Sequence, residues 1–198
     1  LMSIFPFEKE WYEKRAPGFP VEFVGHPLCD RYTDLEFRDP KSVHQPRRLL
    51  LLPGSRTKEI SRHLPIMVHA VKGIKAHPVI VFPDESLAAQ ARLLAPKVAD
   101  WDIQIGNLDE ALKRADVAIA SSGTVTLECA WFRVPTVVLY RTSWITYLLG
   151  KLFIKVKHIA MPNVLAEREV FPEFIQSAAT PVNLIREAKR FLDDSNRR

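Results

Sequence analysis

The sequence predicts an α/β domain, a parallel sheet with helices on both faces. Two observations carry that expectation. Between residues 49 and 140, short apolar runs alternate about five times with segments of helical period. The first run, four leucines at 49–52, is continuous rather than alternating, the pattern of a strand covered on both sides.

The elements follow in order. Residues 1–5, 8–15 and 21–25 read as strand, short helix and strand, too little to close a core alone. They are expected to be the last pieces of a preceding domain (residues 1–26). Residues 27–48, charged and turn-rich, read as a linker with one helical turn. After the 49–52 strand, Ile60, Leu64, Met67, Val68, Val71 and Ile74 recur at helical spacing, and Pro65 is expected to kink or restart that helix. Strands at 79–82, 103–105, 116–121 and 135–140 alternate with helices at 86–94 and 108–114 and with one ending near Phe132. Residues 49–178 form the main domain in this reading. Residues 179–198 add a C-terminal helix, with Leu184, Ile185, Ala188, Phe191 and Leu192 on one face.

The composition is that of an ordinary globular chain: 198 residues, 47% hydrophobic and 26% charged, with a formal net charge of +5. A basic chain suits anionic partners, whether nucleic acid, a membrane surface or phosphorylated substrates. The two cysteines, Cys29 and Cys129, stand far apart and suggest small buried side chains in a reducing compartment. The six histidines share no ligand spacing, so no metal site is expected.

Two turns carry the chemistry. In the first, Gly54, Ser55 and Arg56 follow a strand and open a helix. Free N–H groups, the helix dipole and a guanidinium there suit an anion, although a plain turn with a surface arginine gives the same letters. In the second, Ser122, Gly123 and Thr124 again lie between strand and helix. Glu128 falls one turn later, where a carboxylate can accept ribose hydroxyls or simply face solvent. In residues 162–176, Asn163 and Gln176 are polar groups among apolar ones, consistent with a capped surface helix. In residues 131–157, Trp144, Tyr147, Leu148 and Phe153 alternate with Lys151 and other cations. That suits an anionic membrane interface, with core packing plus a solvated face as the alternative. The basic residues flank an aliphatic helix rather than forming a stripe with stacking aromatics, so nucleic acid is not an expected partner.

These blocks, with IFPFE at 4–8, VEFVGHPLCD at 21–30, LLPGSRTKEISRHLP at 51–65, ASSGTVTLECA at 120–130, VPTVVLYR at 134–141 and MPNVLAEREVFPEFIQ at 161–176, resemble the lipid-A-disaccharide synthase family almost end to end. The resemblance implies one half of a GT-B fold, in which two Rossmann-like domains face each other across a cleft. It implies transfer of 2,3-diacylglucosamine from UDP to 2,3-diacylglucosamine 1-phosphate, with release of UDP. No cofactor or metal is implied. The implied location is the cytoplasmic face of the inner membrane, bound peripherally to its anionic surface. Gly54, Ser55 and Arg56 would lie near the diphosphate, and Ser122, Gly123, Thr124 and Glu128 would hold the UDP moiety, with Asn163 and Gln176 nearby. The acceptor site and general base belong to the family's N-terminal domain, so a separate chain carrying that domain is an expected partner. A UDP-sugar 2-epimerase, another UDP-sugar-binding GT-B protein, and a non-catalytic fragment that binds UDP and membrane are the alternatives.

Overall fold

The computed structural model describes residues 1–33, 46–144, 147–148 and 157–193. The chain divides into two units, residues 1–36 and 37–198. In the first, β1 (Met2–Ser3) and β2 (Glu22–Phe23) pair in parallel. They flank α1 (Pro6–Arg15) and precede α2 (Leu28–Arg31). Proline at the first position of α1 is preset for a helix start, and the Glu8 carboxylate accepts the N–H groups of Ile4 and Phe5, both at 3.0 Å. The helical turn expected in the 27–48 stretch is α2.

The second unit contains a six-stranded, wholly parallel sheet. Its strands and helices alternate as β3 (Arg48–Leu52), α3 (Thr57–Val71), β4 (His77–Phe82), α4 (Glu85–Leu94), β5 (Asp102–Ile105), α5 (Leu108–Arg114), β6 (Val117–Ser121), α6 (Val125–Trp131) and β7 (Thr136–Tyr140). They continue as α7 (Met161–Ala166), β8 (Glu173–Ile175) and α8 (Pro181–Asp193). The spatial order is β5-β4-β3-β6-β7-β8. This is the doubly wound arrangement, and its direction of winding reverses between β3 and β6.

Alternation along β3 explains the two layers. Leu49 and Leu51 join a core with Ile60, Leu64 and Met67 of α3 and Leu184, Ala188 and Leu192 of α8. Leu50 and Leu52 project to the opposite face, where α5 packs on β3 and β4, and α6 on β6 and β7. All four leucines are buried, as their unbroken run predicts.

Two expectations are corrected. Pro65 does not restart its helix: α3 runs from Thr57 to Val71 through it. The lost N–H bond is outweighed by the burial of Ile60, Leu64, Ile66 and Met67 on either side, each worth about 1.5–3 kcal/mol. The 162–176 stretch, read as consistent with a capped surface helix, contains edge strand β8, whose three residues are too few to show a period. Cys129 is buried and its thiol is pushed up to about 12 by desolvation, whereas Cys29 is exposed.

A candidate anion-binding cleft at the sheet's switch point

Leu52, the last residue of β3, pairs with Ala120 of β6. The two strands therefore release their following turns side by side, about 4.8 Å being the spacing of neighbouring strands. This is the carboxyl edge of the sheet at the point where its winding reverses, the usual ligand crevice of such folds. The Gly54–Arg56 turn and the Ser122–Thr124 turn are thus brought together. Ser55, Arg56, Gly123 and Thr124 are exposed.

The first turn depends on Gly54, whose φ is +123°. A Cβ there would lie 2.7 Å from Cβ of Glu59 and collide with its carboxylate. Glu59 went unremarked in the sequence. Its carboxylate folds back over the start of α3, accepting the Ser55 N–H at 3.0 Å and pairing with the Arg56 guanidinium at 3.2 Å. It stands where a bound phosphate would compete for the same donors. The signal was available: Arg56 is the N-cap and Glu59 the third helical residue, the acidic position of a capping box. Gly54→Ala should therefore strain the backbone and dislodge Glu59, at a cost of about 1–3 kcal/mol. A thermal melt checks this: a drop of several degrees is expected, and an unchanged midpoint would mean that the turn relaxes freely.

Behind this turn sits His63, which is fully buried. Its Nδ1–H donates to the Pro53 carbonyl at 2.8 Å, and its Nε2 accepts the Arg141 N–H at 3.0 Å. One neutral ring thereby ties the turn after β3 to the chain leaving β7. Burial lowers its pKa, against the opposing effects of the Pro53 carbonyl and the Glu59 charge. Read as one of several scattered histidines, it is a structural clamp.

The second turn departs from expectation in its polar groups. The Ser122 hydroxyl donates to the Ile159 carbonyl at 2.9 Å, so its proton is not offered to a ligand. Thr124 is the N-cap of α6, and its side chain makes no cap hydrogen bond. Glu128 is 8% exposed, not the open carboxylate expected of a surface helix position.

Asn163 and Gln176, expected near the UDP moiety, are both buried and hold internal hydrogen bonds. Asn163 is fully buried. Its Nδ2 donates to the Phe171 carbonyl at 2.7 Å and to Glu173 Oε1 at 2.6 Å, while Oδ1 accepts the N–H groups of Val170 and Phe171 at 2.8 Å. Four bonds exhaust a carboxamide. Gln176 pairs with the backbone of Thr142, accepting its N–H at 2.8 Å and donating to its carbonyl at 3.2 Å. Glu173, also missed, accepts the N–H groups of Ile159 and Ala160. It therefore holds the stretch that receives the Ser122 hydroxyl.

Of the expected membrane contacts, Trp144 and Leu148 are each 68% exposed, and Tyr147 meets the Trp144 ring edge-on at 5.9 Å. Lys151 and Phe153 lie outside the described residues. Among the described residues no helix is long and apolar enough to cross a membrane.

A family model described as lipid-A-disaccharide synthetase matches residues 1–198. The lipid-A-disaccharide synthase of Anaeromyxobacter dehalogenans strain 2CP-C is 34% identical over 98% of this chain and 53% of its own length. That of Geobacter sulfurreducens is 37% identical over 96% and 52%. The chain thus spans about half the length of these relatives. Among solved structures, WaaG, a glycosyltransferase involved in lipopolysaccharide biosynthesis, superposes with a TM-score of 0.52 at 14% identity, covering 100% of this chain and 55% of WaaG. A putative UDP-N-acetylglucosamine 2-epimerase from Listeria monocytogenes superposes with a TM-score of 0.55 at 17% identity, covering 92% and 48%. These two share the fold, the Rossmann-like half of a GT-B architecture, and the second gives the epimerase alternative no further support. The sequence matches span nearly the whole chain and agree with one another, and on them the chain belongs to the lipid-A-disaccharide synthetase family.

Proposed function

We propose that this chain supplies the UDP-sugar-binding half of a lipid-A-disaccharide synthase. The activity is transfer of 2,3-diacylglucosamine from UDP to 2,3-diacylglucosamine 1-phosphate, releasing UDP. The single observation that carries this reading is the register of Leu52 with Ala120, which sets two exposed strand-to-helix turns beside each other at the switch point. Pyrophosphate at that edge meets Gly54 and Ser55 backbone donors, the Arg56 guanidinium and the turn at Gly123 and Thr124. As the glycosidic bond to UDP breaks, charge grows on the leaving diphosphate, and preorganised donors and a fixed cation stabilise it. Glu128, one helical turn below Thr124, is the carboxylate for the ribose hydroxyls. The acceptor sugar and the general base come from the family's other domain, on a partner chain or a longer form of this one. The exposed Trp144 and Leu148 rest on an anionic membrane surface, the inner membrane's cytoplasmic face.

Calorimetric titration with UDP tests the reading. Arg56→Ala and Glu128→Ala should each weaken UDP binding roughly tenfold to a hundredfold, the loss of a hydrogen bond to a charged group. Folded wild-type chain that takes up no UDP would overturn it.

A further inference from the structure

Two of the groups that would receive pyrophosphate are already held by a carboxylate. Glu59 Oε2 accepts the Ser55 N–H at 3.0 Å and lies against the bare Cα of Gly54, where a Cβ would collide with it. Its Oε1 meets the Arg56 guanidinium at 3.2 Å. The hold is loose. The Arg56 side chain is 80% exposed, and exposed ion pairs contribute little. A diphosphate brings more charge and more acceptor oxygens than one carboxylate, and so takes the donors. Glu59 stays close when it yields. It is the third residue of α3, its backbone is fixed by the helix, and only side-chain torsions move the carboxylate aside.

That displaced charge weighs unequally on substrate and product. In a UDP-sugar both phosphates are substituted on two sides, and each carries about one negative charge. Transfer breaks the bond from the anomeric carbon to the β-phosphate oxygen, and the electron pair stays on that oxygen. The acceptor oxygen bonds the sugar and gives its proton to the general base. The β-phosphate is then terminal, with a second ionisation at about pH 6. At neutral pH UDP therefore carries about one charge more than the donor, and a carboxylate a few ångströms away repels it more.

We propose that Glu59 is a specificity-determining residue, an internal rival for the diphosphate's donors that favours the sugar nucleotide over UDP and so speeds product release. The role rests on the nucleotide reading of the cleft. Calorimetric titration of wild type and Glu59→Gln with UDP, the β-methyl ester of UDP and uridine tests it. The ester keeps both phosphates and lacks the extra charge. Glutamine keeps the length of the side chain, and its amide oxygen can still accept the Ser55 N–H. Glu59→Gln should bind UDP about tenfold more tightly than wild type, the ester about threefold, and uridine no differently. Equal gains for UDP and the ester would remove the discrimination between product and substrate and overturn the proposal. A loss of UDP affinity would do the same, making Glu59 a brace that aims the donors. A wild type that binds UDP as tightly as the variant sinks the rivalry alone. Failure of both proteins to take up UDP sinks the nucleotide reading, and the rivalry with it. If Glu59→Gln melts early, Glu59→Asp keeps the charge at the start of the helix and withdraws the carboxylate by one methylene from the Ser55 N–H. It should bind UDP about threefold more tightly than wild type, and an unchanged affinity would overturn the rivalry.

Discussion

Asn163→Ala is expected to lower the melting temperature of the chain by about 10 °C. The side chain is fully buried and makes four hydrogen bonds, each between 2.6 and 2.8 Å. Truncation leaves the N–H groups of Val170 and Phe171 and the Phe171 carbonyl without their partner. It also removes a donor from Glu173. Unsatisfied buried groups cost about 1–3 kcal/mol each, and partial relaxation makes about 3–5 kcal/mol a reasonable total. For a domain of this size each kcal/mol moves the midpoint by about 2–4 °C. Asn163→Asp sharpens the test. It keeps the acceptor and the shape but sets a carboxylate against Glu173. At neutral pH it should be as damaging as alanine. The new group's folded pKa would be raised by Glu173, so its stability should be better below the ordinary carboxylate pKa and be lost as pH rises through the raised value. A melt of either variant within 2 °C of wild type would show that the bonds carry little.

The consequence reaches the cleft by a short path. Asn163 fixes Glu173, which holds the N–H groups of Ile159 and Ala160, and the Ile159 carbonyl receives the Ser122 hydroxyl. A loosened Asn163 therefore frees a wall of the second turn as well as an edge of the sheet.

The division between what could be read and what could not follows the range of each interaction. The four leucines at 49–52 and the turns at 54–56 and 122–124 were legible because a covered strand and a strand-to-helix turn are local patterns. Strand order was not, yet the placement of both turns at one edge depends on it. Polar roles were the least legible. Asn163 and Gln176 have the composition of ligand contacts, and only the tertiary structure shows their amides engaged by Phe171, Glu173 and Thr142. The second bond of His63 reaches a residue 78 positions away, and no spacing rule spans that distance. Glu59 was within reach, since an acidic residue at the third helical position is a local signal.

His63→Phe carries the second large effect. The ring keeps its bulk, and both hydrogen bonds go, leaving the Pro53 carbonyl and the Arg141 N–H facing an apolar face. The cost should be about 2–4 kcal/mol, with UDP binding weakened as the Gly54 turn loses its tether. His63→Gln, which retains a donor and an acceptor, should recover part of both. The pH dependence identifies the histidine itself. Its folded pKa is lowered from 6.5, chiefly by burial. Below about pH 6.5 the unfolded chain takes up a proton that the folded chain does not, so stability is full above that value and falls as pH drops toward the depressed folded pKa. Protonation would also remove the lone pair that accepts the Arg141 N–H. Denaturant titrations between pH 7 and 5.5 should show stability declining in the wild type and a flatter profile in His63→Phe. Parallel profiles for the two proteins would mean that the proton is taken up elsewhere, and that the clamp between Pro53 and Arg141 does not govern the acid sensitivity of this fold.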